Sequence, residues 1–204
     1  MRTDKLVSHI TEKKALDSLR TTMESYAPIS DDTWLALTPS CTFRSIKKHE
    51  YLYQAGVKPS SFSFVAAGLC RAFITDSKGN EYNKNFFDEG SFPGSMVALL
   101  TASPSQFSVV ALEPTALIEI NFEGYRNLMR EKDDLKLFQI YYLERNWLIA
   151  KDFREVEIVQ EDATQRYQRF LKEKPALSVR LPQHHIASHL GITPTQLSRI
   201  RKKL

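Results

Sequence analysis

Seven glycines, two cysteines and five histidines in 204 residues leave few groups for chain reversal, cross-linking or metal binding. Cys41 and Cys70 lie in separate strand-like contexts with no Cys or His nearby, so neither a zinc site nor an iron–sulfur ligand set can be assembled. Both read as reduced, buried, small apolar residues. Histidine is absent from Tyr51 to Leu117, which removes the ligands a cupin-like metalloenzyme would need inside a β-barrel. No catalytic residue, no metal ligand and no cofactor is therefore assigned, and an enzyme is not expected. No apolar run approaches the roughly 20 residues that span a bilayer, and the opening MRTDKLVSHITEKKALDSLR is too charged for a signal peptide. The expectation is a cytoplasmic protein with no membrane contact. Internal repeats and low-complexity stretches are also missing.

What is present is an ordinary globular composition, 42% hydrophobic and 25% charged, enough for one sizeable core and a small second unit. Its most informative stretch is QHHIASHLGITPTQLSRIRK, Gln183 to Lys202. Ile186 and Leu190 share a helical face, Ala187 leaves room for a second helix to pass closely, and Gly191 suits the positive φ that ends a helix sharply. Thr193, Pro194 and Gln196 then form a Thr-Pro-x-Gln start, with a capping box and a proline in the first turn. Leu197, Ile200 and Leu204 continue the buried stripe with Ile192, while Thr195, Ser198, Arg199 and Lys202 fall on the opposite face. This is the pattern of a DNA-reading helix-turn-helix.

Charge points the same way. Residues 161–204 carry nine Lys and Arg against three Asp and Glu, net +6, whereas the other 160 residues carry 19 against 21, net −2. A protein that neutralises phosphates concentrates its cations in this manner. Three histidines, His184, His185 and His189, lie in the same segment and can add charge in mild acid. Arg199 is the leading base reader, with Thr195, Gln196 and Ser198 in support. Arg201, Lys202, Lys203, Thr193, His184 and His185 are placed for phosphates.

Upstream, residues 4 to about 27 read as one helix through Leu6, Ile10, Leu16, Leu19 and Met23, broken by Pro28, with a short helix after Ser30. From Arg44 to Asn121 short alternating runs punctuated by Gly and Pro indicate an antiparallel sandwich or barrel, with a hairpin turn at Asp76 to Asn80. No Gly or Pro occurs from Tyr125 to Lys174. Asp133 to Gln160, if one continuous helix, spans about 42 Å. Ile140, Leu143, Trp147 and Ala150 form one apolar stripe, and Phe138, Tyr142, Ile149, Phe153 and Val156 form another on the far side. One stripe can cover its own sheet while the other pairs across a two-fold axis, so a homodimer is expected. Arg145, Asp152 and Arg154 interrupt the seam and leave its register open.

Lys48-His49-Glu50-Tyr51-Leu52 with Gly56, Phe64 to Arg71, Phe92-Pro93-Gly94 with Ala111-Leu112-Glu113, and Ile186 to Thr193 with Leu197 to Ile200 together resemble the Crp/Fnr family of bacterial transcription regulators. The resemblance implies an α+β fold. Its parts are an N-terminal helical segment (1–28), an antiparallel β-roll or jelly-roll sensor like a cyclic-nucleotide-binding domain (29–125), a long dimerisation helix (126–160) and a helix-turn-helix domain (161–204). Double-stranded DNA, a second copy and RNA polymerase are the implied partners. Members that bind cyclic AMP use a Gly-Glu pair and, further on, an arginine for the cyclic phosphate. Here Ser95 takes the glutamate position, and the arginine position falls near Ser105 or Gln106. Cyclic AMP in the familiar pose is not expected, because a buried phosphate without a cation is costly. Phe92, Gly94, Ser95, Met96, Gln106 and Phe107 remain as a candidate pocket for another effector, with Leu99 beside them. The family's cysteine cluster for oxygen sensing is absent, and Pro194-Thr195 replaces the Arg-Glu pair common at the start of its recognition helix. Little room for a hairpin wing is left between Leu177 and Pro182. A second reading keeps the ligand-binding regulatory module but gives its terminal helices a protein partner.

Overall fold

The computed structural model describes residues 9–151 and 160–204. Helix α1 (Glu12–Glu24) begins where the Thr11 side chain accepts from the Lys14 N–H, and it buries Ala15, Leu19 and Met23 at four-residue intervals. The single helix expected over residues 4 to about 27 is not continuous, since residues 9–11 are not helical, and the stretch before residue 9 lies outside the described residues. Ile10 packs against the core from before the helix, and Leu6 lies outside the described residues. Ser30 caps α2 (Asp31–Leu37).

Seven strands follow: β1 (Cys41–Ile46), β2 (Tyr51–Tyr53), β3 (Ser61–Ala67), β4 (Cys70–Thr75), β5 (Glu81–Phe87), β6 (Ser108–Ala111) and β7 (Thr115–Asn121). They form two antiparallel sheets, ordered β1-β7-β3 and β2-β6-β4-β5. Ile46, Leu52, Cys70, Ala72, Val109, Ala111 and Leu117 fill the space inside this β-roll. The β4–β5 hairpin turns as its sequence dictates, with the Asp76 carboxylate accepting the backbone N–H groups of Lys78 (2.8 Å) and Asn80 (2.9 Å). Gly68 carries φ +110°, and a Cβ there would meet the Pro114 carbonyl at 2.6 Å. Only glycine lets β3 pass into β4 so close to β7.

Helix α3 (Met96–Thr101) sits in the β5–β6 connection, and α4 (Phe122–Glu131) follows β7. Helix α5 (Asp133–Leu143) buries Leu135 and Phe138 against the α1–α2 side of the core. Asp134 locks it there by accepting from the Ser30 N–H (2.9 Å) and the Thr33 hydroxyl (2.7 Å). The helix then widens to a π-helical segment, Glu144–Leu148, before resuming helical form through residue 151. The extra residue of a π turn rotates everything beyond it by about 100°, one α-helical increment. Ile149, expected on the inward stripe with Phe138 and Tyr142, is consequently 52% exposed. Phe153, Val156, Asp152 and Arg154 lie outside the described residues.

The C-terminal part comprises α6 (Ala163–Glu173), α7 (Pro175–Arg180), α8 (Gln183–Leu190) and α9 (Pro194–Lys203). Their core of Tyr167, Phe170, Leu177, Leu181, Ile186, Ala187, Leu190 and Leu197 is continuous with Leu69, Phe86 and Leu112 of the β-roll. The helices thus dock on the outer face of the four-stranded sheet. No strand follows β7 among the described residues.

Candidate nucleic-acid interface

Helices α8 and α9 meet around a turn whose geometry follows from the sequence. Gly191 adopts φ +69° and ψ +30°, and the Ile192 N–H donates back to the Ala187 carbonyl at 3.0 Å. Such a left-handed residue ends a helix at low steric cost only without a Cβ. Ala187 is fully buried at the crossing. At the start of α9 the Thr193 hydroxyl accepts from the Gln196 N–H (3.2 Å), and the Gln196 Oε1 accepts from the Thr193 N–H (2.9 Å). The capping box commits the Gln196 oxygen to the helix end and leaves base contact to its amide nitrogen.

Leu197 anchors α9 in the core, while Thr195, Gln196, Ser198, Arg199, Arg201, Lys202 and Lys203 are all exposed. Four base-reading candidates and three cationic residues therefore share one free helix. Leu204, expected to prolong the buried stripe, is instead 60% exposed.

His184 is exposed, but His185 is turned to the β-roll and does not stand ready for a phosphate in this conformation. The Asn83 amide nitrogen lies 3.2 Å from His185 Nδ1 and donates to the His185 carbonyl at 3.0 Å. An amide N–H must donate to Nδ1, which places the imidazole proton on Nε2. Burial, then the positive charge of Arg71, pushes the His185 pKa down to about 4. The expected contribution of charge from His185 in mild acid is thereby removed.

The same strand is held by α8 along its edge. Ser188 accepts from the Asn83 N–H (3.0 Å) and donates to the Glu81 carbonyl (2.9 Å). One hydroxyl thus satisfies a donor and an acceptor that an edge strand otherwise leaves open. His189 Nδ1 donates to the Asn83 carbonyl (3.2 Å), and its ring packs on Phe86. From α7, Arg180 forms a second clasp with Glu89 (2.8 Å), Glu113 (2.8 Å) and the Gly68 carbonyl (3.1 Å). Burial would raise the Glu89 carboxyl, but the Arg180 hydrogen bonds hold it below its ordinary value. Sequence reasoning missed Asn83, Ser188, Arg180, Glu89 and Glu113 as a set. β5 reads Glu-Tyr-Asn-Lys-Asn-Phe-Phe, and nothing in its spacing sets Asn83 apart.

The six candidate effector residues do not line either of the two prominent clefts. Phe92 stacks in an aromatic cluster with Phe64 (5.2 Å), Tyr142 (5.3 Å) and Phe138 (6.2 Å). Met96 packs on that core, Leu99 is buried in it, and Gly94 closes so tightly on β3 that a Cβ would meet the Phe62 Cβ at 2.7 Å. Ser95 is buried, Gln106 is exposed, and Phe107 lies under Lys84 Nζ at 4.3 Å. Phe92, Met96 and Leu99 therefore act as packing here.

On the long helix Ile140 is 49% and Trp147 47% exposed, with Leu143 also exposed and Ala150 half-buried. Arg145 leaves the seam to lie over the Tyr26 ring at 5.4 Å.

Residues 43–132 match the family model described as the cyclic nucleotide-binding domain. No curated protein matches the sequence. Among solved structures, FixK2 from Bradyrhizobium japonicum is 17% identical, with 80% of this chain and 84% of that chain covered and a TM-score of 0.68. The catabolite activator protein of Thermus thermophilus is 22% identical, with 90% and 86% covered and a TM-score of 0.56. The c-di-GMP-responsive global regulator CLP of Xanthomonas campestris is 16% identical, with 85% and 91% covered and a TM-score of 0.65. A β-roll like that of cyclic nucleotide-binding domains, joined to C-terminal helices, is the fold this chain shares with Crp/Fnr-type regulators.

Proposed function

We propose that this protein is a homodimeric, sequence-specific DNA-binding regulator of transcription of the Crp/Fnr type. The observation that carries the reading is α9 itself: capped, anchored by Leu197, and free along the face bearing Thr195, Ser198, Arg199 and Lys202. In a dimer two such helices enter successive major grooves about 34 Å apart on a near-palindromic site. Arg199 reaches guanine O6 and N7, Thr195, Gln196 and Ser198 support it, and Arg201, Lys202, Lys203, Thr193 and His184 meet phosphates. His185 can join them only if α8 leaves the β-roll.

The second copy is proposed to pack on Ile140, Leu143 and Trp147, exposed apolar side chains of the long helix, while the π segment turns the half-buried Ala150 out of the stripe expected for it. The functional division follows as an N-terminal segment (1–28), a sensor (29–125), a coupling helix (126–160) and a DNA-binding unit (161–204). Because Ser95 stands where cyclic-AMP-binding relatives have glutamate, the effector is proposed not to be cyclic AMP in its familiar pose.

A gel shift on the DNA upstream of the protein's own gene tests the reading. Binding should weaken steeply with salt, log affinity falling by about 0.9 per phosphate neutralised for each decade of salt. Retention of a protein partner by α8 and α9 with no salt-sensitive DNA binding would contradict it.

A further inference from the structure

A cleft of about 340 Å³ opens within the C-terminal unit where α6, α7, α8 and α9 converge, at the small end of the range for small-molecule sites. None of its described lining residues is acidic. Arg201 borders it and is exposed, with no hydrogen bond or ion pair to any described residue, so its charge is free. It stands one turn beyond Leu197, roughly 110° round α9 from the centre of the face bearing Thr195, Ser198, Arg199 and Lys202. Tyr167 is an independent sign. It is only 6% exposed, and its hydroxyl has no hydrogen-bond partner among the described residues. That oxygen is not sealed off, and the residue borders the cleft. A buried phenol ordinarily finds a partner. Helix α8 adds donors, because its N-cap is Pro182, which offers no side-chain acceptor. The His185 N–H turns back to the Pro182 carbonyl at 3.0 Å. Those of Gln183 and His184 meet no acceptor among the described residues, and Gln183 lies on the cleft. Free N–H groups at the positive end of a helix dipole favour an oxyanion.

We propose that this cleft binds a small organic acid, its carboxylate or phosphate held by Arg201, the Tyr167 hydroxyl and the first N–H groups of α8. Its apolar body lies on Leu181, Ile186 and Leu197, all buried in the cleft floor, beside Val179, which is 85% exposed at the rim. A purely apolar ligand would leave the Tyr167 hydroxyl and the helix N–H groups unmet. A metal ion does not fit, since no group of three or more His, Cys, Asp or Glu among the described residues could hold one. The occupant engages Arg201, one of the cations proposed for DNA phosphates, and leaves the base-reading face clear. Binding itself is independent of whether α9 reads DNA.

The test is calorimetric titration of the full chain, without DNA and at constant ionic strength, with phenyl phosphate and, separately, benzoate, while backbone amide signals are followed by NMR. Saturable binding of at least one probe is expected, with the Gln183 and His184 amides shifting. Which probe binds separates phosphate from carboxylate recognition. Arg201→Gln, at an exposed position that does not threaten folding, should weaken binding at least tenfold, the loss of one charge-assisted hydrogen bond. Tyr167→Phe keeps the ring in the core and should weaken it several-fold. Lys172→Gln removes an equal charge from an exposed position of α6 outside the cleft lining, and should bind as the wild type does. A cleft that served only a backbone phosphate of DNA would take up neither probe. No saturable binding of either probe, wild-type affinity in folded Arg201→Gln or Tyr167→Phe, or an equal loss in Lys172→Gln overturns the proposal.

Discussion

Replacing Arg180 with methionine keeps an unbranched apolar stem but removes the clasp between α7 and the sheet. Arg180 makes five contacts there, two to Glu89, two to Glu113 and one to the Gly68 carbonyl. The Arg180 side chain is 24% exposed and that of Glu113 15%, whereas that of Glu89 is 46%. An exposed pair is worth about 0–1 kcal/mol, and breaking a buried one costs about 3–5 kcal/mol. This geometry lies between, so Arg180→Met should cost about 2–3 kcal/mol, mostly from leaving Glu113 unpaired in a half-dry site. The loss should fall on docking. Hydrogen exchange of α8 and α9 amides should accelerate by one to two orders of magnitude, about 1.4 kcal/mol per decade. Fluorescence from Trp34 and Trp147, both in the N-terminal part, should change little. Glu113→Gln combined with Arg180→Met should cost less than the sum of the two, because the partners are coupled. A change below about 0.5 kcal/mol in Arg180→Met would place the clasp among ordinary surface pairs and refute the reasoning.

Three further outcomes follow from the same structure. His185 titrates near 4 in the folded chain and near 6.5 when free, so the unfolded or undocked state binds the extra proton between those values. Its contribution to docking is complete above about pH 6.5 and is lost as pH falls toward 4; screened by solvent, it amounts to about 1–2 kcal/mol. Exchange of α8 amides across this range should show the loss, and His185→Gln should flatten it. Gly68→Ala should destabilise the β-roll by about 2–3 kcal/mol in urea unfolding, since φ +110° and the Pro114 carbonyl at 2.6 Å leave a Cβ no room. Trp147→Glu should convert the proposed dimer to monomer in light scattering without loss of secondary structure; an unchanged mass would remove this face from the interface.

Local chemistry was readable wherever a few adjacent residues settle it. Gly191, the Thr193–Gln196 box and the Asp76 turn all form from contacts within five positions of one another. The β-roll and the net +6 C-terminal segment were likewise legible, from alternation and charge. Features set by distant partners were not. The π segment at Glu144–Leu148 leaves no mark on apolar spacing, so Ile149 was assigned to the wrong face. His185 resembles a solvent-facing cation in sequence, and only β5, about a hundred residues upstream, makes it a neutral acceptor. Phe92 and Met96 could be read as pocket as well as core, and only the approach of α5, with Phe138 and Tyr142 on the Phe92 ring, shows Phe92 as packing. Arg180 and its two glutamates come from three separate segments, with no spacing to connect them.

The central claim is that α9 reads base sequence, and fluorescence anisotropy of Arg199→Ala on a selected operator and on random DNA tests it most directly. Arg199 is exposed and makes no contact that folding requires, so the variant should stay folded. The account predicts a loss of about 1–3 kcal/mol on the operator, roughly five- to 150-fold, with binding to random DNA nearly unchanged. Equal losses on both would reduce Arg199 to a phosphate contact and contradict the account.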